Sequence, residues 1–185
     1  KMQGAKIDTW GVGTKVITAF DHPALGAVYK LVAIEDDHGE MADTIKLSSN
    51  AEKVSTPGKK QVWRITRHAN GKSEGDYVAL AYEDVESLEE LYMFHPNFTY
   101  INKTVTDFDA RPVLQPIFDH GDLVYKLPAL VDIRKFAMQC VESLWDEYTR
   151  VLNPQDYPVD LSQAACDNKM AIIRRIKEKI NWRQA

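Results

Sequence analysis

The strongest constraint on the fold lies between residues 61 and 82, where two β-like runs flank a tight turn. QVWRITR at residues 61–67 alternates apolar and polar side chains, and YVALAY at residues 77–82 is rich in residues that favour strands. Asn70-Gly71 lies in the polar stretch between them, and this dipeptide is typical of two-residue hairpin turns because both residues tolerate positive φ. The sequence therefore predicts an antiparallel hairpin that turns at Asn70-Gly71.

Other short runs predict that this hairpin belongs to a larger sheet. Residues 5–9, the run VYKLVAIE at residues 28–35 and residues 44–47 each predict a strand, and STPG at residues 55–58 predicts a turn. Residues 83–124 mix aromatics, prolines and acids without a sustained period, which indicates strands and loops. The short spacing of these runs favours antiparallel, hairpin-connected strands.

From Pro128 onward the apolar period becomes that of a helix, and Pro128 suits its first turn. The apolar positions that share one helical face are Leu130, Ile133, Ala137, Val141, Leu144 and Tyr148. A last helix is predicted from Leu161 through Ile180, with Asp160 and Gln163 resembling a capping box. We expect three segments: residues 1–26, a β-rich segment at residues 27–127 and a helical segment at residues 128–185.

Charge and composition exclude several function classes. The net charge is -4 and the pI is near 5.7, so no basic field favours nucleic acid or anionic lipid. No apolar stretch approaches the length of a membrane span, and we expect a cytoplasmic protein without a membrane partner. Cys140 and Cys166 lie in helical patterns without paired ligands, so we expect neither a disulfide nor a zinc site.

The clearest chemical feature is the glycine pair in TWGVGTK, where Gly11 and Gly13 follow the first β-like run. Amides of Gly11, Val12, Gly13 and Thr14 in such a turn can face an anion, and a phosphate site and a plain tight turn are both compatible with this spacing. The dinucleotide fingerprint is absent, because its third glycine would fall on Val16.

A second glycine motif does not fit a nucleotide-binding loop either. Gly71-Lys72-Ser73 has Thr66 where the leading glycine of a Walker loop belongs. We therefore assign these residues to the hairpin turn.

Three stretches together resemble the C-terminal portion of nicotinate phosphoribosyltransferases. They are IDTWGVGTKVITAFDHPALGAVYKLV at residues 7–32, KLSSNAEKVSTPGKKQVWRI at residues 46–65 and LWDEYTRVLNPQDYPVDLS at residues 144–162. Their order matches the family and they span most of the chain. The resemblance implies the back part of a longer enzyme, and a start at Lys1 so close to the glycine motif agrees with that expectation.

The resemblance implies a reaction that joins nicotinate to phosphoribosyl pyrophosphate, giving nicotinate mononucleotide and pyrophosphate in NAD biosynthesis. The resemblance further implies coupled ATP hydrolysis, a requirement for Mg²⁺ and a homodimeric intact enzyme. The implied fold class is α+β: the final strand of an irregular α/β barrel, a mainly antiparallel sheet and C-terminal helices. Residues 6–9 would be that barrel strand.

The same resemblance assigns the loop of Gly11, Val12, Gly13 and Thr14 to the 5-phosphate of the ribosyl substrate, with Asp8 and Lys15 as candidate neighbouring contacts. The family's phosphorylated histidine and its pyrophosphate and nicotinate contacts would lie outside this chain. None of the histidines present matches that catalytic context; they are His22, His38, His68, His95 and His120. We therefore expect no turnover by this chain alone, and the alternative is a stand-alone phosphate- or nucleotide-binding module without catalysis.

Overall fold

The computed structural model describes residues 4, 6–24 and 28–182, which fall into two compact units, Lys1–Lys30 and Leu31–Ala185. Helix α1 (Thr14–Ile17) is the regular element among the described residues of the first unit. The strand predicted at residues 5–9 is not seen: residue 5 lies outside the described residues, and residues 6–9 form no strand. A strand needs a neighbouring strand to pair its backbone groups, and this segment has none among the described residues.

The second unit opens with a small antiparallel pair, β1 (Ala33–Glu35) and β2 (Met41–Asp43). The strand predicted at residues 28–35 is therefore confined to its last three residues. The strand predicted at residues 44–47 is wrong, because pairing with β1 ends at Asp43. A short 3-10 helix follows at Ala51–Lys53.

A six-stranded sheet forms the centre of the second unit. Its strands in chain order are β3 (Lys60–Arg67), β4 (Ser73–Leu80), β5 (Glu90–Phe94), β6 (Asn102–Thr106) and β7 (Phe108–Pro112), and it is completed by a strand near the C-terminus. Two further short strands, β8 (Phe118–Asp119) and β9 (Asp122–Leu123), form a separate antiparallel pair. The predicted mixture of strands and loops at residues 83–124 is thus confirmed.

The predicted hairpin is present as β3 and β4, which pair antiparallel. Gly71 has φ +66 and its amide donates to the carbonyl oxygen of Arg67 at 2.8 Å, while the amide of Arg67 donates to that of Lys72 at 2.9 Å. The side chain of Asn70 accepts the amide of Lys72 at 3.0 Å. The left-handed backbone at Gly71 explains why glycine is suited to this position.

The sheet is mixed, because strand β10 (Val159–Leu161) inserts between β4 and β5. It runs parallel to β4, with Asp160 opposite Tyr77, and antiparallel to β5, with Leu161 opposite Phe94. The expectation of a mainly antiparallel sheet holds for four of its five strand pairs, and the parallel pairing of β10 with β4 was not predicted. The fold is mixed α+β, with small antiparallel sheets beside the main sheet and helices toward the C-terminus.

Three helices accompany the sheet: α2 (Leu130–Glu142), α3 (Asp146–Thr149) and α4 (Gln163–Trp182). Helix α2 begins after Pro128, with Ala129 as its N-cap, so the proline precedes the first turn. The predicted apolar face breaks at the end of α2, because Leu144 and Tyr148 lie beyond that end. No helix within the described ranges is long and apolar enough to cross a membrane.

The last helix starts two residues later than predicted, at Gln163 instead of Leu161. Ser162 precedes α4, and its Oγ accepts the amide of Ala165 at 3.0 Å, as an N-cap side chain does. Asp160 belongs to β10 instead of a capping box. Leu161 is likewise a strand residue, and it packs in an apolar cluster with Leu80, Phe94 and Ala165 that joins the sheet to α4.

The other apolar cluster is formed by the hairpin, by β5 and β6, and by the segment between β4 and β5. Its buried members are Ile65, Tyr77, Ala79, Val85, Leu91, Met93 and Val105. Burying a large aliphatic or aromatic side chain stabilises a fold by about 1.5–3 kcal/mol, so this cluster is a principal source of stability in the second unit.

Candidate functional site

The glycine loop lies in the first unit and leads directly into α1. Gly13 is the N-cap of that helix, with φ -105 and ψ -172, and its carbonyl oxygen accepts the amides of Val16 at 3.1 Å and Ile17 at 3.2 Å. Gly11 and Val12 precede it in irregular, exposed backbone. None of the amides of Gly11, Val12, Gly13 and Thr14 donates to another of the described residues.

Neither glycine is required by the conformation of the chain. A Cβ placed on Gly11 or Gly13 would meet no atom within 4 Å, and neither residue has positive φ. Gly75 in β4 differs, because φ is +141 there and a Cβ would come within 2.9 Å of Pro158 Cγ. The described residues therefore give no steric reason for glycine at positions 11 and 13.

Asp8 and Lys15, the two predicted neighbours of the loop, differ in their contacts. Asp8 is exposed and makes no hydrogen bond to another described residue. The Nζ atom of Lys15 lies 5.0 Å from the centre of the Phe20 ring, within range of a cation–π contact. In this structure Lys15 is thus directed to an aromatic ring of its own unit.

In the second unit, the turn predicted at residues 55–58 is held by the side chain of Lys60. Lys60 Nζ donates to the carbonyl oxygens of Thr56 at 2.6 Å and Gly58 at 2.5 Å. Partial burial lowers the pKa of Lys60, while the nearby Asp43 carboxylate opposes that change. The lysine side chain therefore holds the turn together instead of facing solvent.

A polar network joins the hairpin to the segment that leads into β10. Arg64 and Asp76 form a bidentate ion pair, with Nε to Oδ1 at 2.9 Å and Nη2 to Oδ2 at 3.0 Å. The hydroxyl of Tyr157 donates to Asp76 Oδ1 at 3.1 Å and shares a 2.5 Å hydrogen bond with Ser73 Oγ. Burial raises the pKa of Tyr157 to about 12, so its hydroxyl is neutral and keeps its proton for donation at physiological pH.

This network fixes one wall of a cavity that sequence reasoning missed. The cavity has a volume of about 740 Å³ and lies between residues 95–103 and residues 148–160. Asp160, which the sequence suggested as a helix cap, lines it. No local pattern marks this site, because its two walls are separated by about fifty residues and meet through the pairing of β5 with β10.

The metal expected from the resemblance has no cluster to hold it in this part of the protein. Within residues 4, 6–24 and 28–182 there is no group of three or more His, Cys, Asp or Glu side chains that could bind a metal ion. Magnesium prefers several oxygen ligands, and a single carboxylate such as Asp8 does not form such a set.

Comparison with known proteins identifies the family. The sequence model of the nicotinate phosphoribosyltransferase C-terminal domain matches residues 59–169. The chain belongs to the nicotinate phosphoribosyltransferase family. The match covers the six-stranded sheet and the start of α4, and it confirms the resemblance read from the sequence.

Individual relatives agree with this assignment. Nicotinate phosphoribosyltransferase of Bacillus subtilis is 54% identical over 180 residues, which cover 97% of this chain and 36% of the relative. That alignment extends across the Gly11–Thr14 loop, because only a few terminal residues are left outside it. The human enzyme of the same name is 30% identical over 161 residues, covering 87% of this chain and 29% of the relative. The chain thus spans about a third of the length of these nicotinate phosphoribosyltransferases.

A solved structure gives the same result for the fold. The crystal structure of human nicotinic acid phosphoribosyltransferase matches with a TM-score of 0.56 and 25% sequence identity. The match covers 66% of this chain and 23% of the human chain. About two thirds of this chain therefore shares its fold with part of that human enzyme.

Proposed function

We propose that this chain is the C-terminal part of an enzyme that forms nicotinate mononucleotide and pyrophosphate from nicotinate and phosphoribosyl pyrophosphate, with coupled ATP hydrolysis, in NAD biosynthesis. The observation that carries this proposal is the 54% identity to the Bacillus subtilis nicotinate phosphoribosyltransferase over nearly the whole chain. Mg²⁺, ATP and the catalytic histidine would be held by the part of the family enzyme that this chain does not include. A cytoplasmic homodimer is part of the same proposal.

We assign the loop of Gly11, Val12, Gly13 and Thr14 to the 5-phosphate of the ribosyl substrate. Two observations support this role: the backbone amides have no acceptor among the described residues, and no neighbouring atom of the chain requires glycine at positions 11 and 13. Glycine would let the phosphate approach the backbone closely. Charge-assisted hydrogen bonds contribute about 1.5–3 kcal/mol each, so two or three aligned amides would anchor the substrate.

Anchoring the 5-phosphate would contribute to catalysis although the phosphate takes no part in bond breaking. Binding energy from a remote group can orient the anomeric carbon for attack by nicotinate. Asp8, at the start of the loop, is proposed to contact the ribose. Lys15 would offset phosphate charge only after leaving the ring of Phe20, because its ammonium lies 5.0 Å from that ring here.

The exposed face of α2 supports action within a larger protein. Leu130, Ile133 and Val141 share one face of α2 and are 81%, 47% and 50% exposed, and α2 has no buried residue. An apolar helix face of this kind is normally covered by other protein. We infer that the chain alone is inactive.

A chimera tests the proposed function directly. The corresponding stretch of the Bacillus subtilis relative is replaced by this chain, and formation of nicotinate mononucleotide is measured with nicotinate, phosphoribosyl pyrophosphate, ATP and Mg²⁺. We expect an active chimera in which Gly13→Val raises the KM for phosphoribosyl pyrophosphate by about tenfold or more. The valine side chain would keep the phosphate away from the backbone amides, and the loss of one charge-assisted hydrogen bond is worth that much. Gly121→Asn, in an exposed turn with no atom near its Cβ, is the matched control. A chimera that folds but makes no product contradicts the proposal.

Calorimetry of the 185-residue chain with nicotinate mononucleotide distinguishes the two hypotheses, an inactive part of an enzyme and a stand-alone binding module. A partial site should bind weakly, in the millimolar range, because most contacts to the nucleotide are missing. Micromolar binding would support the self-sufficient module. Product formation by the chain alone at the rate of an intact enzyme would overturn the inactivity we propose.

A further inference from the structure

The cavity beside β10 has the dimensions of a small-molecule site. Its volume of about 740 Å³ falls in the range of ligand pockets. One wall is the loop between β5 and β6, including His95, Phe98 and Ile101, and the other is formed by Tyr148, Tyr157 and Asp160. All of these residues belong to the second unit.

Asp160 is a largely buried residue whose carboxylate oxygens are open to the cavity. The residue is 6% exposed, and its side chain accepts no hydrogen bond from any residue that the structure describes. Burial raises the pKa of Asp160, and the nearby ammonium of Lys103 opposes that change. Its oxygens face the cavity without a donor from the described residues, so a donor group bound there could reach them.

Lys103 does not supply that donor, because its Nζ donates to the backbone oxygen of Glu74 and to Glu74 Oε2, the latter at 3.0 Å. His95 has its Nδ1 occupied as an acceptor of the amides of Asn97 and Phe98, each at 3.1 Å. A nitrogen that accepts two amides has no proton to donate, so Nδ1 of His95 is not the donor for Asp160.

The charges that line the cavity favour a cation over an anion. Asp156 and Asp160 are opposed by the single ammonium of Lys103, which is already paired with Glu74. One net negative charge therefore faces the cavity. A bound anion such as a phosphate would be repelled, and a bound cation would be attracted.

The walls are also suited to a flat ring. The rings of His95 and Phe98 lie 4.9 Å apart with an interplanar angle of 31°, and those of Tyr148 and Tyr157 lie 5.5 Å apart. Phe98 is 50% exposed. Aromatic faces attract both planar apolar groups and cations.

We propose that this cavity binds a small aromatic cation, whose amidinium or ammonium group donates to Asp160 while its ring packs against the aromatic walls. The inference is independent of the function proposed above, because it uses no residue of the glycine loop. The closest fit is a planar amidinium, since its parallel N–H groups match the two oxygens of a carboxylate.

Benzamidine and its neutral isostere benzamide test this inference on the 185-residue chain. Titration by calorimetry, with amide chemical shifts followed by NMR, should give a benzamidine Kd below about 1 mM, with shifts centred on residues 95–103 and 157–160. Benzamide should bind at least about tenfold more weakly, because it lacks the charge. Asp160→Asn should remove most of that difference, whereas Asp119→Asn, an exposed aspartate, should leave it intact.

Each further result decides for or against the proposal. If Asp160→Asn does not fold, as judged by circular dichroism, Phe98→Ala takes its place: this half-exposed wall residue should weaken both probes about equally. Absence of saturable benzamidine binding to the folded chain up to about 10 mM overturns the inference. Equal affinity for the two probes, or chemical shifts confined to another surface, overturns it as well.

Discussion

Lys72 donates from its Nζ to the carbonyl oxygen of Glu142, the last residue of α2, at 2.8 Å. The same ammonium donates to the carbonyl oxygen of Leu144, also at 2.8 Å. The lysine of Gly71-Lys72-Ser73 therefore caps the C-terminal end of a helix, where a cation also interacts favourably with the helix dipole. Its side chain connects the central hairpin to α2, and this use agrees with assigning the motif to a turn.

Lys72→Met should lower the free energy of unfolding by about 1 kcal/mol. The substitution keeps the apolar stem and removes two charge-assisted hydrogen bonds, which are partly open to solvent and so contribute modestly. Urea denaturation measures the change. Lys126→Met, at an exposed position, is the control and should differ from the parent by less than about 0.5 kcal/mol. Equal stability of the two variants would show that the cap contributes nothing.

Ser162→Ala should destabilise the second unit by about 1–3 kcal/mol. The Ser162 hydroxyl is fully buried, donates to Glu83 Oε1 at 2.7 Å and accepts the amide of Ala165 at 3.0 Å. Alanine would leave Glu83 Oε1 with the amide of Leu80 as its remaining donor and would remove the acceptor of a buried helix amide. Thermal unfolding tests the loss against Ser87→Ala, which removes a single exposed hydrogen bond of 3.1 Å. The cap assignment fails if both variants melt together.

The parts of the fold that the sequence predicted best depend on neighbouring residues. The β3–β4 hairpin follows from alternation around Asn70-Gly71, and α2 and α4 follow from the apolar period. The glycine loop is likewise a local feature, since its residues are consecutive. Short-range backbone preferences are sufficient for such elements.

The parts that sequence reasoning missed depend on distant partners. Strand β10 has three residues, and it is a strand because β4 and β5 supply hydrogen-bonding edges on both sides. That pairing places Asp160 in the cavity and leaves Ser162 to cap α4. The segment at residues 6–9 illustrates the converse: a β-like pattern forms no strand where no described neighbour pairs with it.

Gly75→Ala should cost about 2–4 kcal/mol, and Gly121→Ala about 1 kcal/mol. Gly75 has φ +141, and a Cβ there would lie 2.9 Å from Pro158 Cγ and 3.0 Å from the Pro158 backbone oxygen. Gly121 has φ +93 and meets no atom within 4 Å. Comparing the two variants therefore separates the loss of stability caused by positive φ from the loss caused by a steric clash. Chemical denaturation of both variants measures the difference, and similar losses would show that β10 can shift to accept the methyl group.

A histidine at the end of the hairpin is held between two carboxylates. The Nδ1 atom of His68 lies 2.8 Å from Asp107 Oδ1, and its Nε2 atom lies 2.9 Å from Asp109 Oδ1. Hydrogen bonds to Asp107 and then Asp109 are the main causes that raise the pKa of His68 above 6.5. Both ring nitrogens can donate at once only in the protonated ring, so this arrangement favours the imidazolium.

Stability supplied by His68 should decrease as pH rises. The folded pKa is higher than the unfolded value of 6.5, so the contribution is complete below that value and disappears as pH passes through the folded pKa. NMR titration of the ring should show the raised pKa directly, and urea denaturation between about pH 5 and pH 9 should show His68→Asn losing stability mainly at the acidic end. Asp109→Asn should bring the ring's pKa back toward its ordinary value, whereas His38→Asn, in another exposed turn, should leave the pH dependence of the parent unchanged. A ring that titrates at or below 6.5 in the folded chain would mean that the two carboxylates do not hold it in solution.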